Sequence, residues 1–519
     1  MLFATRLLTK LEYEKLIKRK VTTFLFNEID FPIERETSVS SFNCTTQRVP
    51  STWYSWEQND KLLQSFKEKF PQFFQWRQYD LILAFQKAMY WANFRTGYLH
   101  YTKQQFYDKE EVLYIEPLHP YNRLKVFVKY IKQVCAKGEK QSSNPNKGKF
   151  IGCHGIFIKH AFQLTLYQHI VEKVKDDKRF VMYALDASIK ERLMSMGVEE
   201  SNCVLLSGGS KISQLPIISL FALKDKDWYV LNQIIIHWRE VQKWVSIAEQ
   251  IAETGIKTFL MNEGENGIMG AVLGEVMSKH GVTSFNTMNG TKSGEVQDAH
   301  INFDKWFVWD EKMKRLLVER NKLPANKLIV SGHLMEDTVA THSYQDSLGL
   351  DKEYLKDKKV ISVFSVRGKR EEKIDTFRML YEVAKQDPAI FLLVRPHPSE
   401  ISDDSFLPPK HLENVKWVSY NQENSKATLY DQLSISDVSI CFGSTVALES
   451  KWFGVPCITV EKRDESLIYA VDGEEIVHLK DTNYLEDTIT KILNVKLQDR
   501  PHHIASVAKT IVEWVSEGI

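Results

Sequence analysis

After Gly332 this chain alternates short apolar runs, most of them rich in β-branched residues, with segments of helical spacing. That alternation constrains the fold more than any other feature. KVISVFS, AIFLLVRPHP, VKWVSY, DVSICFGS, PCITVE and EIVHLK read as strands; KIDTFRMLYEVAKQ and STVALESKWFG read as helices between them. A similar series precedes Gly332. KFIGCHGIFI reads as a strand and turn, HAFQLTLYQHIVEKV as an amphipathic helix, and RFVMYAL as a strand. ASIKERLMSMG then reads as a helix ended by Gly197, with CVLLSGG, KTFLMNEG and DKWFVWD as further strands. Strands alternating with helices of this length imply parallel sheets covered on both faces. The expected fold is α/β, with two Rossmann-like domains over residues 150–332 and 333–519, joined near SGHLMEDT. Two such domains facing each other leave a cleft at the carboxyl ends of their strands, where ligands bind in such sheets.

The polar stretch AKGEKQSSNPNKGK, residues 136–149, has no large apolar side chain and reads as a linker. Residues 1–135 form a separate, aromatic-rich and mainly helical extension, with WYSW, FPQFFQWRQYD and MYWANFRTGYLHY. Its aromatics suit either a helical core or a platform on which an acceptor glycan stacks.

Composition narrows the class. A formal net charge of +1 gives no basic field for nucleic acid, so anion binding has to be local. The six cysteines are scattered without a C-x-x-C pair, so buried thiols in a reducing compartment are expected, and no metal site. The N-terminal MLFATRLLTKLEYEKLIKRK is broken by charge and does not resemble a signal peptide. No apolar run reaches the roughly 20 residues of a membrane span. A cytoplasmic protein is expected, with peripheral membrane association left open.

Three segments carry chemistry. Leu393-Val394-Arg395-Pro396-His397-Pro398 ends a strand, which puts His397 at the sheet's carboxyl edge. Its imidazole can donate to a phosphate oxygen, with Arg395 as a second ligand and the prolines restricting the backbone. In DVSICFGSTVALESKWFGVP, a strand ends in Gly443, and Ser444 and Thr445 open a helix. A helix start offers unpaired N–H groups and a positive dipole end, and the hydroxyls add donors. Glu449 lies one turn beyond Thr445 and suits ribose hydroxyls. In Met261-Asn262-Glu263-Gly264-Glu265-Asn266-Gly267 the carboxylates follow a strand of the middle domain. Glu263, and after it Glu265, could serve as general base. Lesser candidates are the strand-end turns Ser365-Val366-Arg367-Gly368-Lys369, Cys153-His154-Gly155, Ser207-Gly208-Gly209 and Asn289-Gly290-Thr291. His237 lies in the apolar run IIIHW and reads as a core histidine. Asp225-Lys226-Asp227 fits D-x-D in letters but precedes an apolar run.

RPHP together with SICFGSTVALESKWFGVP resembles the C-terminal domain of bacterial surface-carbohydrate glycosyltransferases of GT-B fold. The groups in question are the bacterial sialyltransferases and polysialyltransferases and the capsule-type Kdo transferases. The resemblance spans roughly Phe150 to Glu517 and omits the first 135 residues. It implies that His397, Pro398, Ser444 and Thr445 contact the phosphate of a CMP-sugar. It also implies that Asn262-Glu263-Gly264 occupies the place of an acidic-acidic-glycine motif that supplies the base. Asn262 departs from that pattern, so Glu263 or Glu265 has to substitute. The implied activity is transfer of a nonulosonate (sialic acid, Kdo or related) to a glycan or lipid-linked glycan, with inversion and without metal or cofactor beyond the donor. Three alternatives stand beside it: a UDP-sugar-dependent transferase, a UDP-GlcNAc 2-epimerase-like enzyme, and a non-catalytic nucleotide-sugar binder. The paired glycines usual in the epimerases are absent at Ser444-Thr445.

Overall fold

A computed structural model describes residues 56, 59–96, 99–101, 113–115, 120–135, 144–206, 215–262, 264–265, 267–288, 296–319, 321–350, 352–366, 370–397, 412–418, 425–442, 444–460, 476–494 and 506–518. Two compact units emerge. The first holds residues 1–289, 294–332 and 507–519, and the second holds residues 290–293 and 333–506.

The first unit is built on strands β1 (His154–Ile158), β2 (Phe180–Ala184), β3 (Cys203–Leu205), β4 (Thr258–Asn262), β5 (Thr283–Thr287), β6 (Lys305–Val308) and β7 (Leu328–Val330). All pair in parallel, in the order β7-β6-β5-β4-β1-β2-β3. Every residue of β1, β2 and β4 is buried, as expected of a sheet covered on both faces. The chain reverses its direction of growth between β1 and β4, which makes their carboxyl ends the topological switch point.

The N-terminal residues belong to this same unit. Helices α1 (Ile82–Thr96) and α2 (Pro120–Val134) pack on the long helix α3 (Asp225–Ala252), and α1 also packs on α4 (Gly267–Lys279). Phe66, Phe73, Phe74 and Phe85 are buried and pack ring to ring, and Phe73 and Phe85 reach Trp238 of α3. Among these described rings the aromatic density is core, not platform. Polar staples tie the contact down. Lys69 pairs with Asp227 at 2.9 Å, and the Tyr79 hydroxyl donates to Glu249 at 3.1 Å. The Arg77 guanidinium bonds Glu249 as well. Burial, with Glu249 nearby, pushes the Tyr79 phenol up to about 12.

The second unit contains β8 (Lys359–Phe364), β9 (Ile390–Arg395), β10 (Val415–Trp417), β11 (Val438–Cys441), β12 (Cys457–Val460) and β13 (Ile476–Leu479). They are parallel in the order β10-β9-β8-β11-β12-β13, which puts this sheet's switch point between β8 and β11. Alternation along the strands fills two cores. Ile361, Val363, Leu392, Val394 and Ile440 pack with Phe377 and Leu380 of helix α5 (Arg370–Gln386). Val360, Phe391 and Leu393 face Leu348, Leu350 and Leu355 on the other side. Helices α6 (Ser425–Ser434) and α7 (Val446–Trp452) flank β11 in sequence. Gly454, at φ +65°, follows α7, and the Gly454 and Val455 N–H groups close back onto its last turn.

The last helix, α8 (Val507–Glu517), returns to the first unit, where it packs against the sheet near β4. Chain order alone assigns it to the second domain, and the structure corrects that boundary. Its apolar stripe Val507, Ala508, Ile511 and Val515 is buried, and packing rather than chain order decides where it docks. Among the described residues, no helix is long and apolar enough to cross a membrane.

Candidate functional site

In the second unit, parallel register sets the geometry. Phe364 of β8 is paired with Arg395 of β9 and with Cys441 of β11, so three strands end at one level. Ser365, Pro396-His397, Phe442 and Ser444-Thr445 thus lie at the same carboxyl edge, beside the switch point. His397 is half-buried there and Ser444 is half-buried, whereas Thr445 is exposed. The Ser444 hydroxyl accepts from the Val446 N–H at 3.3 Å, and its carbonyl accepts from the Ala447 N–H at 3.2 Å. Ser444 therefore occupies donors of the helix start that the sequence pattern offers to a phosphate. Pro398, Gly443 and Arg367 lie outside the described residues.

Arg395 is 7 % exposed, and its guanidinium donates to Thr428 of α6 at 3.0 Å. Such a buried cation fixes α6 against the strand end and places positive charge behind the edge. Glu449 is also buried, and burial together with Glu449 pushes the Tyr430 phenol well up. Sequence reasoning passes over Lys373. Although charged, it is 1 % exposed near the start of α5, and its ammonium donates to the Val366 carbonyl at 2.8 Å. That bond ties Val366, just past β8, to α5. Its spacing of four before Phe377, a core residue, is the available signal.

In the first unit, β4 runs into the acidic loop at the other switch point. Asn262 is its last residue and is fully buried. Its amide nitrogen donates to the Thr287 carbonyl at 3.1 Å and to the Thr287 hydroxyl at 2.9 Å, which in turn meets the Tyr167 hydroxyl at 2.9 Å. A carbonyl only accepts, so this position needs an amide; a carboxylate would set oxygen against oxygen. The amide where the resemblance implies an acid is thus a structural fit.

Glu265 is fully buried as well. Its carboxylate accepts from Asn286 at 2.7 Å, while the Asn286 carbonyl oxygen accepts from the Gly264 N–H, also at 2.7 Å. The Glu265 backbone carbonyl accepts from the Lys87 ammonium at 2.5 Å. Lys87 comes from α1 and is 1 % exposed, so the N-terminal region reaches the acidic loop with a buried cation. Close approach completes the fit: a Cβ on Gly270 would lie 1.8 Å from the Gly264 carbonyl oxygen. Glu263 lies outside the described residues. Of the two carboxylates, Glu265 is committed to holding the loop. Neither Lys87 nor Asn286 stands out in the sequence; a lysine inside the apolar AFQKAM is the available hint.

Other candidates fall elsewhere. His154 begins β1 instead of following a strand, so it sits at the opposite, amino edge. It pairs with Thr258 at 2.9 Å, and burial lowers its pKa. Cys153-His154-Gly155 is therefore removed from the ligand edge. Asp227 lies in the first turn of α3 and is taken by Lys69 and by the Lys224 N–H. His237 is half-buried on α3, within 3.9 Å of Glu240, and is not a core residue. Ser207-Gly208-Gly209 and Asn289-Gly290-Thr291 lie outside the described residues.

No protein-family model matches the chain, and no curated protein matches it. Solved structures do match. A putative UDP-N-acetylglucosamine 2-epimerase from Listeria monocytogenes is 12% identical, with a TM-score of 0.50 over 70% of this chain and 95% of that one. The UDP-GlcNAc 2-epimerase from Methanocaldococcus jannaschii is 13% identical, with a TM-score of 0.48 over 70% and 99%. A glycotransferase of kitacinnamycin is 11% identical, with a TM-score of 0.42 over 71% and 94%. At such identities the likeness is one of fold. The chain is an α/β protein of GT-B-like kind with two Rossmann-like units.

Proposed function

We propose that the chain is a glycosyltransferase that takes its sugar from a nucleotide-linked donor. The observation that carries this reading is the level strand ends of the second unit. They bring His397 and Ser444-Thr445 beside one switch point, where phosphate-bearing nucleotides bind in sheets of this kind. His397 and Thr445 would donate to the donor phosphate and to the charge that grows on it as the sugar leaves, with the Arg395 guanidinium adding field from behind. The motif resemblance assigns the base to the acidic loop Asn262-Glu263-Gly264. Glu263 takes the acceptor's hydroxyl proton, and Glu265 holds the loop. The motif resemblance favours CMP as the nucleotide and a nonulosonate as the sugar, passed to a glycan or lipid-linked glycan acceptor.

The test is transfer and donor hydrolysis with the His397→Ala and Glu263→Gln variants. Loss of transfer in both, with donor binding weakened only in His397→Ala, supports the reading. Donor turnover unchanged in His397→Ala sinks the phosphate role.

A second reading is a UDP-sugar epimerase, favoured by the fold shared with the Listeria structure. Interconversion of UDP-N-acetylglucosamine without any acceptor would establish it. Ser444-Thr445 in place of paired glycines weighs against it.

A further inference from the structure

Helix α2, PYNRLKVFVKYIKQV, leaves more of its described large apolar side chains exposed than buried. It rests on α3 through Val126 and Tyr130, each 2% exposed. The Tyr130 hydroxyl donates to the Pro216 carbonyl at 2.7 Å and accepts from the Ile218 N–H at 2.9 Å. Gln133 donates to the Ile235 carbonyl at 3.1 Å. These contacts fix the helix's rotation. At about 100° per residue, the remaining side chains then sort into two arcs. Leu124, Phe127, Val128 and Ile131 share one arc, and they are 61%, 41%, 42% and 40% exposed. Lys125, Lys129 and Lys132 share the next, and all three are exposed. Ile217, between the two groups bonded to Tyr130, is a further exposed apolar side chain, at 82%.

An ordered apolar ridge of this size on a protein surface marks an interaction site. Its charge identifies the partner. The helix carries no Asp or Glu, in a chain whose net charge is only +1, so its basic arc is a local feature. We propose that α2 docks in the plane of an anionic phospholipid surface. Its apolar arc enters the boundary between headgroups and acyl chains. The lysines beside it lay their stems along apolar surface and reach the phosphates. This proposal does not depend on the reaction the protein performs.

The experiment is flotation of the full-length protein with vesicles of phosphatidylcholine alone and of phosphatidylcholine mixed with phosphatidylglycerol. The protein is expected to float with the mixed vesicles and to be released by high salt. Replacing Lys125, Lys129 and Lys132 together by Gln should weaken partitioning by about two orders of magnitude. Leu124→Ser combined with Phe127→Ser should abolish it. Both variants should keep the parent's melting temperature, because the substituted side chains are exposed. Absence of flotation on mixed vesicles overturns the proposal, and so does flotation unchanged in both variants, which would put the lipid contact elsewhere in the chain. A dimer that the Leu124→Ser, Phe127→Ser variant dissociates, without any lipid binding, would make the ridge a contact between copies and also overturn it.

Discussion

Asn262 and Glu265 are each committed to a hydrogen-bond partner on the neighbouring strand, Thr287 and Asn286. The Asn262 amide must donate to the Thr287 carbonyl, so Asn262→Asp should destabilise the protein by about 1–3 kcal/mol, measured by urea denaturation. A variant as stable as the parent would mean that the position does not require an amide. Glu265→Gln keeps an acceptor for Asn286 and should retain most transfer, while Glu263→Gln should lower kcat by about 10²–10⁴-fold. Full transfer by Glu263→Gln would put the base elsewhere. The sequence alone does not separate the roles of these two carboxylates. The Glu265 carboxylate is taken by Asn286 on another strand and its backbone carbonyl by Lys87 on a distant helix, and no local spacing encodes either contact. His397 is legible because a strand followed by Pro-His-Pro has few alternatives to a strand-end turn.

Elements are legible where periodicity is strong. Both parallel sheets follow from runs of apolar, β-branched residues, and burial on both faces is what such runs require. The beginning of β1 is misplaced by sequence because GCHG reads as a turn. The His154 N–H instead bonds the Arg179 carbonyl at 2.8 Å as the strand begins. The join of α4 to the acidic loop gives a steric prediction. Gly270→Ala would drive a methyl into the Gly264 carbonyl, and the expected cost is about 1–3 kcal/mol with loss of transfer. Gly270→Ala with the parent's melting temperature would contradict that packing. Asp431 of α6 gives a pH prediction. Burial pushes its carboxyl up, but the Gln345 and Ser347 N–H groups and His342 outweigh this and hold it low. A folded value below the unfolded one, roughly 3.9, means stability that is present above that pH and lost as pH falls through the folded value. The stability gap between the parent and Asp431→Asn should be wide at neutral pH and close in acid. A gap independent of pH would refute it.

For the whole molecule, the N-terminal region is part of the first unit and not an appendage. The aromatic core around Phe73, Phe85 and Trp238 joins it to α3, and Lys87 carries that attachment to the acidic loop. Composition can identify an aromatic core but cannot identify its partner. The final helix follows the same logic in reverse, since it docks in the first unit on the helix Gln168–Val174 and on β4. The nucleotide claim also belongs to this scale and is tested most directly by thermal shift of the parent and of His397→Ala with CMP, CDP, UDP and GDP. A ligand at 100 times its dissociation constant adds about 2.7 kcal/mol of apparent stability. CMP should raise the melting temperature of the parent, and His397→Ala should lose that rise; a rise with UDP and none with CMP, or a CMP shift intact in His397→Ala, would contradict the claim.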